Sequence, residues 1–358
     1  MTLLQKTVSP RLSRAYLDEG YDRVGGYVVR VADVRFATSL TDLAAVHGLT
    51  APGSGWTPQS EWVDVLRFEA DWYLRYFGEP GYAVPLWWLM HTRVPPGAQL
   101  VRRYAAGGSE LLARYGHLGT GWRRADPTAA APTMTRLSQC VGAVASWNGA
   151  HYDADVVDNR VVIATSTPQP PQMGFWPGAT GRWYRQLHPA EAADVFGVEV
   201  RATWRGMAVH VADQVLAGNR QVARIVPAGD DVEEARARGM TMLDVDVAEA
   251  WVLLDELDDL CSERLDAQPP GAVGPPDTAD ALPVPGLDAS APPNNSARQP
   301  GRSGACSRQA EAASGPGGAA DAAADVSAWP AAARREPGDP PRTETSDTDA
   351  EAPGEQPA

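Results

Sequence analysis

The sequence predicts an α+β protein that is mostly β. It reads as an N-terminal α+β domain over residues 8–125, a linker over 126–136, two tandem small β modules over 137–197 and 198–265, and a disordered tail over 266–358. Three observations predict this. Short apolar or alternating stretches recur between Gly, Pro, Asn and Asp breaks, which is the signature of strands. Ala-(Ser/Thr)-Trp-x-Gly occurs twice, at 145–149 and 202–206, each time followed by Asn-Arg, at 159–160 and 219–220. From about Asp266 the composition turns to Ala, Pro, Gly and Ser.

In chain order, "SPRLSRAYLDEG" reads as a short helix with Ser9 as N-cap and Pro10 in its first turn. Tyr27–Val34 is a strand preceded by a Gly25-Gly26 break. "TSLTDLAAVHGL" is a helix capped by Thr38 or Ser39, with Asp42 in its first turn and Gly48 at its end. A Pro/Gly/Ser loop leads to "EWVDVLRFEA", a strand in which neither face is purely apolar, so both faces are expected to be buried over part of its length. "VPLWWLMHTRV" is a further strand. "AQLVRRYA" and "SELLARYG" form a hairpin around "AGG", and "TGWRRA" adds one more strand. Together these predict an antiparallel sheet with two short helices.

The repeat defines the second half. With Trp147 placed on Trp204, Ala145 meets Ala202, Ser146 meets Thr203 and Gly149 meets Gly206. Each copy continues into a strand, a variable loop, a Trp strand (Trp183 or Trp251) and a short acidic turn, Glu191 to Asp194 or Glu256 to Asp259. The glycine after each Trp supplies a tight turn or bulge. The pattern resembles an SH3-like barrel, a small curled sheet of four or five strands. The alternative is one continuous sheet made by both copies. Trp147 and Trp204 read first as core. Their functional reading is an aromatic platform for a proline-rich ligand, which the Pro-rich tail itself would supply. Phe175 and Trp176, in a Pro/Gly-bounded loop, are expected to be exposed anchors for a protein partner. The tail buries too little to offset its ordering entropy; Trp329 within it is a candidate docking residue.

Signatures of chemistry are sparse. The only lysine is Lys6, so no phosphate-binding G-x-x-x-x-G-K-[ST] exists, and no G-x-S-x-G or H-E-x-x-H is present. Scattered histidines and cysteines without C-x-x-C spacing predict no metal centre. Asp153 with Asp155, and Asp244 with Asp246, share a strand face able to bind a cation, but read first as the solvated faces of half-buried strands. "RFATSLTDLA" (Arg35–Ala44) resembles the aromatic-x-Thr-Ser segment of ADP-ribosyltransferases. That resemblance implies an NAD cofactor, Arg14 or Arg30 at its phosphates, Thr38 and Ser39 beside the nicotinamide, and Glu61 at the ribose. Gln59-Ser60-Glu61 has the Gln-x-Glu form of that family's motif; the sequence departs from the family in the short separation of Ser39 from Glu61.

A net charge of −14 argues against nucleic acid as the main partner. No apolar run reaches the roughly 18–20 residues of a membrane span. The expected function is therefore a non-enzymatic, cytoplasmic protein-binding protein without cofactor or metal, which presents Phe175, Trp176, Trp147 and Trp204. The alternative is an NAD-consuming enzyme, like an ADP-ribosyltransferase or NAD glycohydrolase, with a site at Arg30, Thr38, Ser39 and Glu61.

Overall fold

The first expected helix forms where Ser9 accepts the Leu12 N–H and Pro10 opens the turn: α1 spans Pro10–Asp18. The computed structural model describes residues 2–49, 56–77, 84–129, 132, 137–138, 140–178, 180–192 and 194–266. The tail expected over 266–358, with Trp329, lies beyond Asp266 and outside the described residues, as does most of the expected linker. The described residues belong to one compact unit. They are mostly β, and every strand pairing among them is antiparallel.

The N-terminal region contains β1 (Leu3–Val8), α1, β2 (Arg23–Arg30), α2 (Leu40–Val46), β3 (Trp62–Glu69), β4 (Tyr76–Phe77), β5 (Trp87–Arg93), β6 (Gln99–Tyr104), β7 (Ser109–Tyr115) and β8 (Trp122–Arg124). They form one sheet in the order β4-β5-β2-β1-β3-β6-β7-β8. Helix α2 starts at Ser39 with a reciprocal capping box to Asp42. Strand β3 is buried on both faces as expected: Leu66 and Phe68 join one apolar cluster, Val63 and Val65 another.

Two expectations change here. Order begins before Val8, because β1 lies mid-sheet between β2 and β3. Its polar residues Gln5, Lys6 and Thr7 conceal it in the sequence, yet all three are buried. Gly25-Gly26 is an irregularity inside β2 rather than a break before it. Gly26 has φ +88°, and a Cβ there would meet the Asp246 carboxylate at 2.3 Å. That absence of a side chain lets Asp246 reach the Tyr27 N–H.

The second region is a chain of hairpins: β9 (Val141–Trp147), β10 (Ala150–Val157), β11 (Arg160–Thr165), β12 (Trp176–Pro177), β13 (Trp183–Leu187), β14 (Asp194–Trp204), β15 (Met207–Ala217), β16 (Arg220–Pro227), α3 (Val232–Ala237), β17 (Thr241–Asp244), β18 (Val247–Leu253) and β19 (Leu257–Asp266). Both repeat motifs do the same local work. Trp147 ends β9 and Trp204 ends β14, and each is followed by a two-residue turn with both residues at positive φ: Asn148-Gly149 (50° and 75°) and Arg205-Gly206 (50° and 79°). That is type I′ geometry, which matches the twist of a hairpin.

The sheet order is β12-β13-β11-β10-β9-β14-β15-β16-β18-β17, with β19 also on β14. Read outward from the β9–β14 contact, the two copies run through corresponding strands. A 3₁₀ turn precedes the last strand of each: Pro189–Glu191 before β14 and Leu254–Glu256 before β19. Strand β14 serves both copies. Its residues 194–199 pair with β9, 201–204 pair with β15, and its other edge carries β19.

Candidate functional site

The four residues expected to bind separate into two groups. Trp147 and Trp204 are buried, each at the centre of its own copy's apolar cluster. A guanidinium covers each ring, Arg185 at 4.7 Å from Trp147 and Arg205 at 4.4 Å from Trp204. Neither is an open platform. Phe175 corrects its expectation too: it is buried, with its ring 6.0 Å from Trp147 and 5.6 Å from Tyr152. Trp176 is 69% exposed. Successive residues of a strand point to opposite faces, so a register that buries Phe175 turns Trp176 outward.

Trp176 sits on β12, opposite Tyr184 of β13. Arg185 donates to the Met173 carbonyl at 2.6 Å, tying the preceding loop to β13. Pro177 follows and has no N–H to offer an added strand. A partner at this edge therefore meets a side chain rather than a hydrogen-bonding ladder. In the other copy Trp251 of β18 is 46% exposed, with Arg224 over its ring at 4.7 Å.

The paired aspartates overturn the sequence reading. All four are buried, and each pair holds a cation from the N-terminal sheet. Arg93 donates to Asp153 at 2.6 Å and Asp155 at 3.5 Å, and to the carbonyls of Ala154 and Val141. Lys6 contacts Asp246 at 2.5 Å and Asp244 at 3.9 Å. Arg182–Asp22 at 2.8 Å and Arg23–Asp213 at 3.3 Å extend the ionic contact. One cation cannot neutralise two carboxylates. Burial therefore pushes Asp153 up to about 6 and Asp155 up to about 7, against the pull of Arg93. Burial likewise pushes Asp244 up to about 6, against Lys6. Their ion pairs join the two sheets.

The residues of the NAD reading are dispersed in role. Arg30 is largely buried and donates to Asp33 at 2.7 Å. Ser39 is engaged as the α2 cap, the exposed Thr38 accepts from Arg103 through its carbonyl, and the exposed Arg14 reaches back to the Pro10 carbonyl. Glu61 is exposed and lines a cleft of about 250 Å³ beside Trp56 and Trp62; Arg30, Thr38, Ser39 and Arg14 do not line it. Among the described residues, no three His, Cys, Asp or Glu side chains gather to hold a metal ion. No helix among them is long and apolar enough to cross a membrane.

Comparison of the chain with protein-family models, with curated proteins and with solved structures finds no significant match.

Proposed function

We propose that this is a protein-binding protein whose tandem β modules recognise a partner through exposed indoles, Trp176 on the edge strand β12 and Trp251 on β18. The observation that carries the reading is Trp176, the most exposed of the large apolar side chains among the described residues, set beside the strand-capping Pro177. Trp is favoured where one residue must bury much area at low entropy cost. Trp251 gives the second copy a comparable, less exposed indole.

The same proposal gives each copy an SH3-like geometry. It is supported by the order β13-β11-β10-β9-β14 in one copy and β18-β16-β15-β14-β19 in the other, each with a 3₁₀ turn before a last strand that returns to the first. No cofactor enters this reading. Affinity capture with the full chain, compared with Trp176→Ala and Trp251→Ala, tests it. Trp176→Ala is expected to lose its partners while keeping its thermal midpoint, since the side chain is exposed. An unchanged set of partners in both variants removes the reading.

A further inference from the structure

The N-terminal sheet sorts its arginines. Of those on its strands, Arg23, Arg30, Arg93, Arg102 and Arg124 are each held by a carboxylate. The rest, Arg67, Arg103, Arg114 and Arg123, form no ion pair among the described residues. Register puts all four on one face, because residues paired across neighbouring strands share a side. Gln5 of β1 pairs with Arg67, Arg67 with Gln99, Gln99 with Arg114, and Arg114 with Arg123. Arg103 follows Gln99 at an even spacing along β6, so it points the same way. Helix α2 covers one half of this face, where Leu40, Leu43 and Ala44 pack with Val63 and Val65. The half toward β7 and β8 is open: Arg114 and Arg123 are exposed. Leu111, paired with Val101 between that row and Arg103, is 37% exposed.

Among the described residues no carboxylate relieves this charge, although the whole chain carries −14. Like charges directly opposite on neighbouring strands repel, and Arg114 and Arg123 are such a pair. Arg67 is half-buried, and burial, followed by the positive charge of Arg103, holds it below the usual arginine value. It donates to the neutral Gln5 at 3.3 Å, and Arg103 donates to the Thr38 carbonyl at 3.4 Å. Glu69 stands two positions beyond Arg67 on the same side and is exposed, without an ion pair among the described residues. Neighbouring strands are about 4.8 Å apart, so the row from Arg67 to Arg123 runs about 14 Å across the sheet. Guanidiniums meet carboxylates and phosphates alike as planar forks. The open side chain beside them decides between the two. Single-stranded nucleic acid is held by stacking on aromatic rings, whereas Leu111 is aliphatic. An acidic polypeptide brings both carboxylates for the row and an apolar side chain to cover Leu111.

We infer that the open β6–β8 face docks an acidic segment of a partner protein, with its carboxylates on Arg67, Arg114 and Arg123 and an apolar side chain on Leu111. This surface is separate from the Trp176 edge and does not rest on it. A fluorescein-labelled peptide of repeated Glu-Glu-Leu is titrated into the full chain and followed by fluorescence anisotropy. Saturable binding is expected, weaker at higher salt. Arg114→Gln combined with Arg123→Gln is expected to weaken it about five- to tenfold, the effect of losing two exposed charge pairs, without lowering the thermal midpoint. Arg160→Gln combined with Arg220→Gln removes as much charge from exposed positions on β11 and β16, and is expected to leave binding unchanged. Trp176→Ala is expected to leave it unchanged too. Absence of saturable binding, equal losses in the two double variants, dependence on Trp176, or tighter binding of oligothymidine through Arg114 and Arg123 each overturns the inference.

Discussion

The two copies of the β module share a strand order and differ in what lies between their third and fourth long strands. The first inserts a loop with the two-residue strand β12; the second inserts α3 and β17. Both use aspartates two residues apart to hold a buried cation, yet from different places. In the first copy Asp153 and Asp155 stand on the second strand, β10. In the second, Asp244 ends the inserted β17 and Asp246 follows in the turn to β18. The two clasps therefore do not occupy corresponding places in the shared strand order. Each copy answers its own neighbour in the N-terminal sheet, with whichever segment covers it.

That contrast can be broken first at the cations. Arg93→Met takes the cation from two buried carboxylates and removes donors from three carbonyls, so it should cost about 3–5 kcal/mol in a denaturant titration. Lys6→Met should cost less, about 3 kcal/mol, because fewer hydrogen bonds go with it. Equal, small losses of under about 1 kcal/mol would mean that neither clasp holds the sheets together.

The pH dependence comes next in size. Asp155, raised to about 7, favours its protonated form in the folded chain. Its stabilising contribution is present below the unfolded value near 4 and is lost as pH rises through 7. The buried histidines act in the opposite sense. His47, lowered to about 3, and His210, lowered to about 4, contribute above roughly 6.5 and lose that contribution as pH falls through their folded values. They are common to the wild type and an Asp155→Asn variant, so they cancel in the difference. Between pH 6 and 8.5 the variant should gain on the wild type by about 1–2 kcal/mol. Parallel stability profiles would show that Asp155 is ionised throughout.

The smallest expected effect sharpens the comparison at the turns. Asn148 and Arg205 occupy the same left-handed position, which Asn tolerates better than Arg. Arg205→Asn should raise stability by a few tenths of a kcal/mol, since relief of backbone strain is partly offset by losing the contact with Trp204. A clear loss in a thermal melt would assign more weight to that stacking than to the backbone.

Much of the strand pattern was legible because it is local. The Trp-x-Gly match identified the two equivalent hairpins, and Ser9, Pro10, Ser39 and Asp42 marked both N-terminal helices through capping chemistry. What stayed hidden depends on partners distant in sequence. Strand β1 shows Gln, Lys and Thr in a row, and its lysine becomes a buried residue only when Asp246 arrives from 240 residues away. The Asp pairs read as wet for the same reason: Arg93 lies 60 residues from Asp153. Phe175 and Trp176 looked alike as neighbours in a loop. The edge strand β12 separates them, and that pairing with β13 has no sequence mark beyond alternation.

Strand β14 carries a consequence for any attempt to study the copies separately. It is the final rung of the first and the opening rung of the second, so no cut leaves both complete. An excised copy must either borrow those eleven residues or expose a row of unsatisfied amides along its partner strand. Any truncation meant to isolate one copy must therefore keep β14 with it.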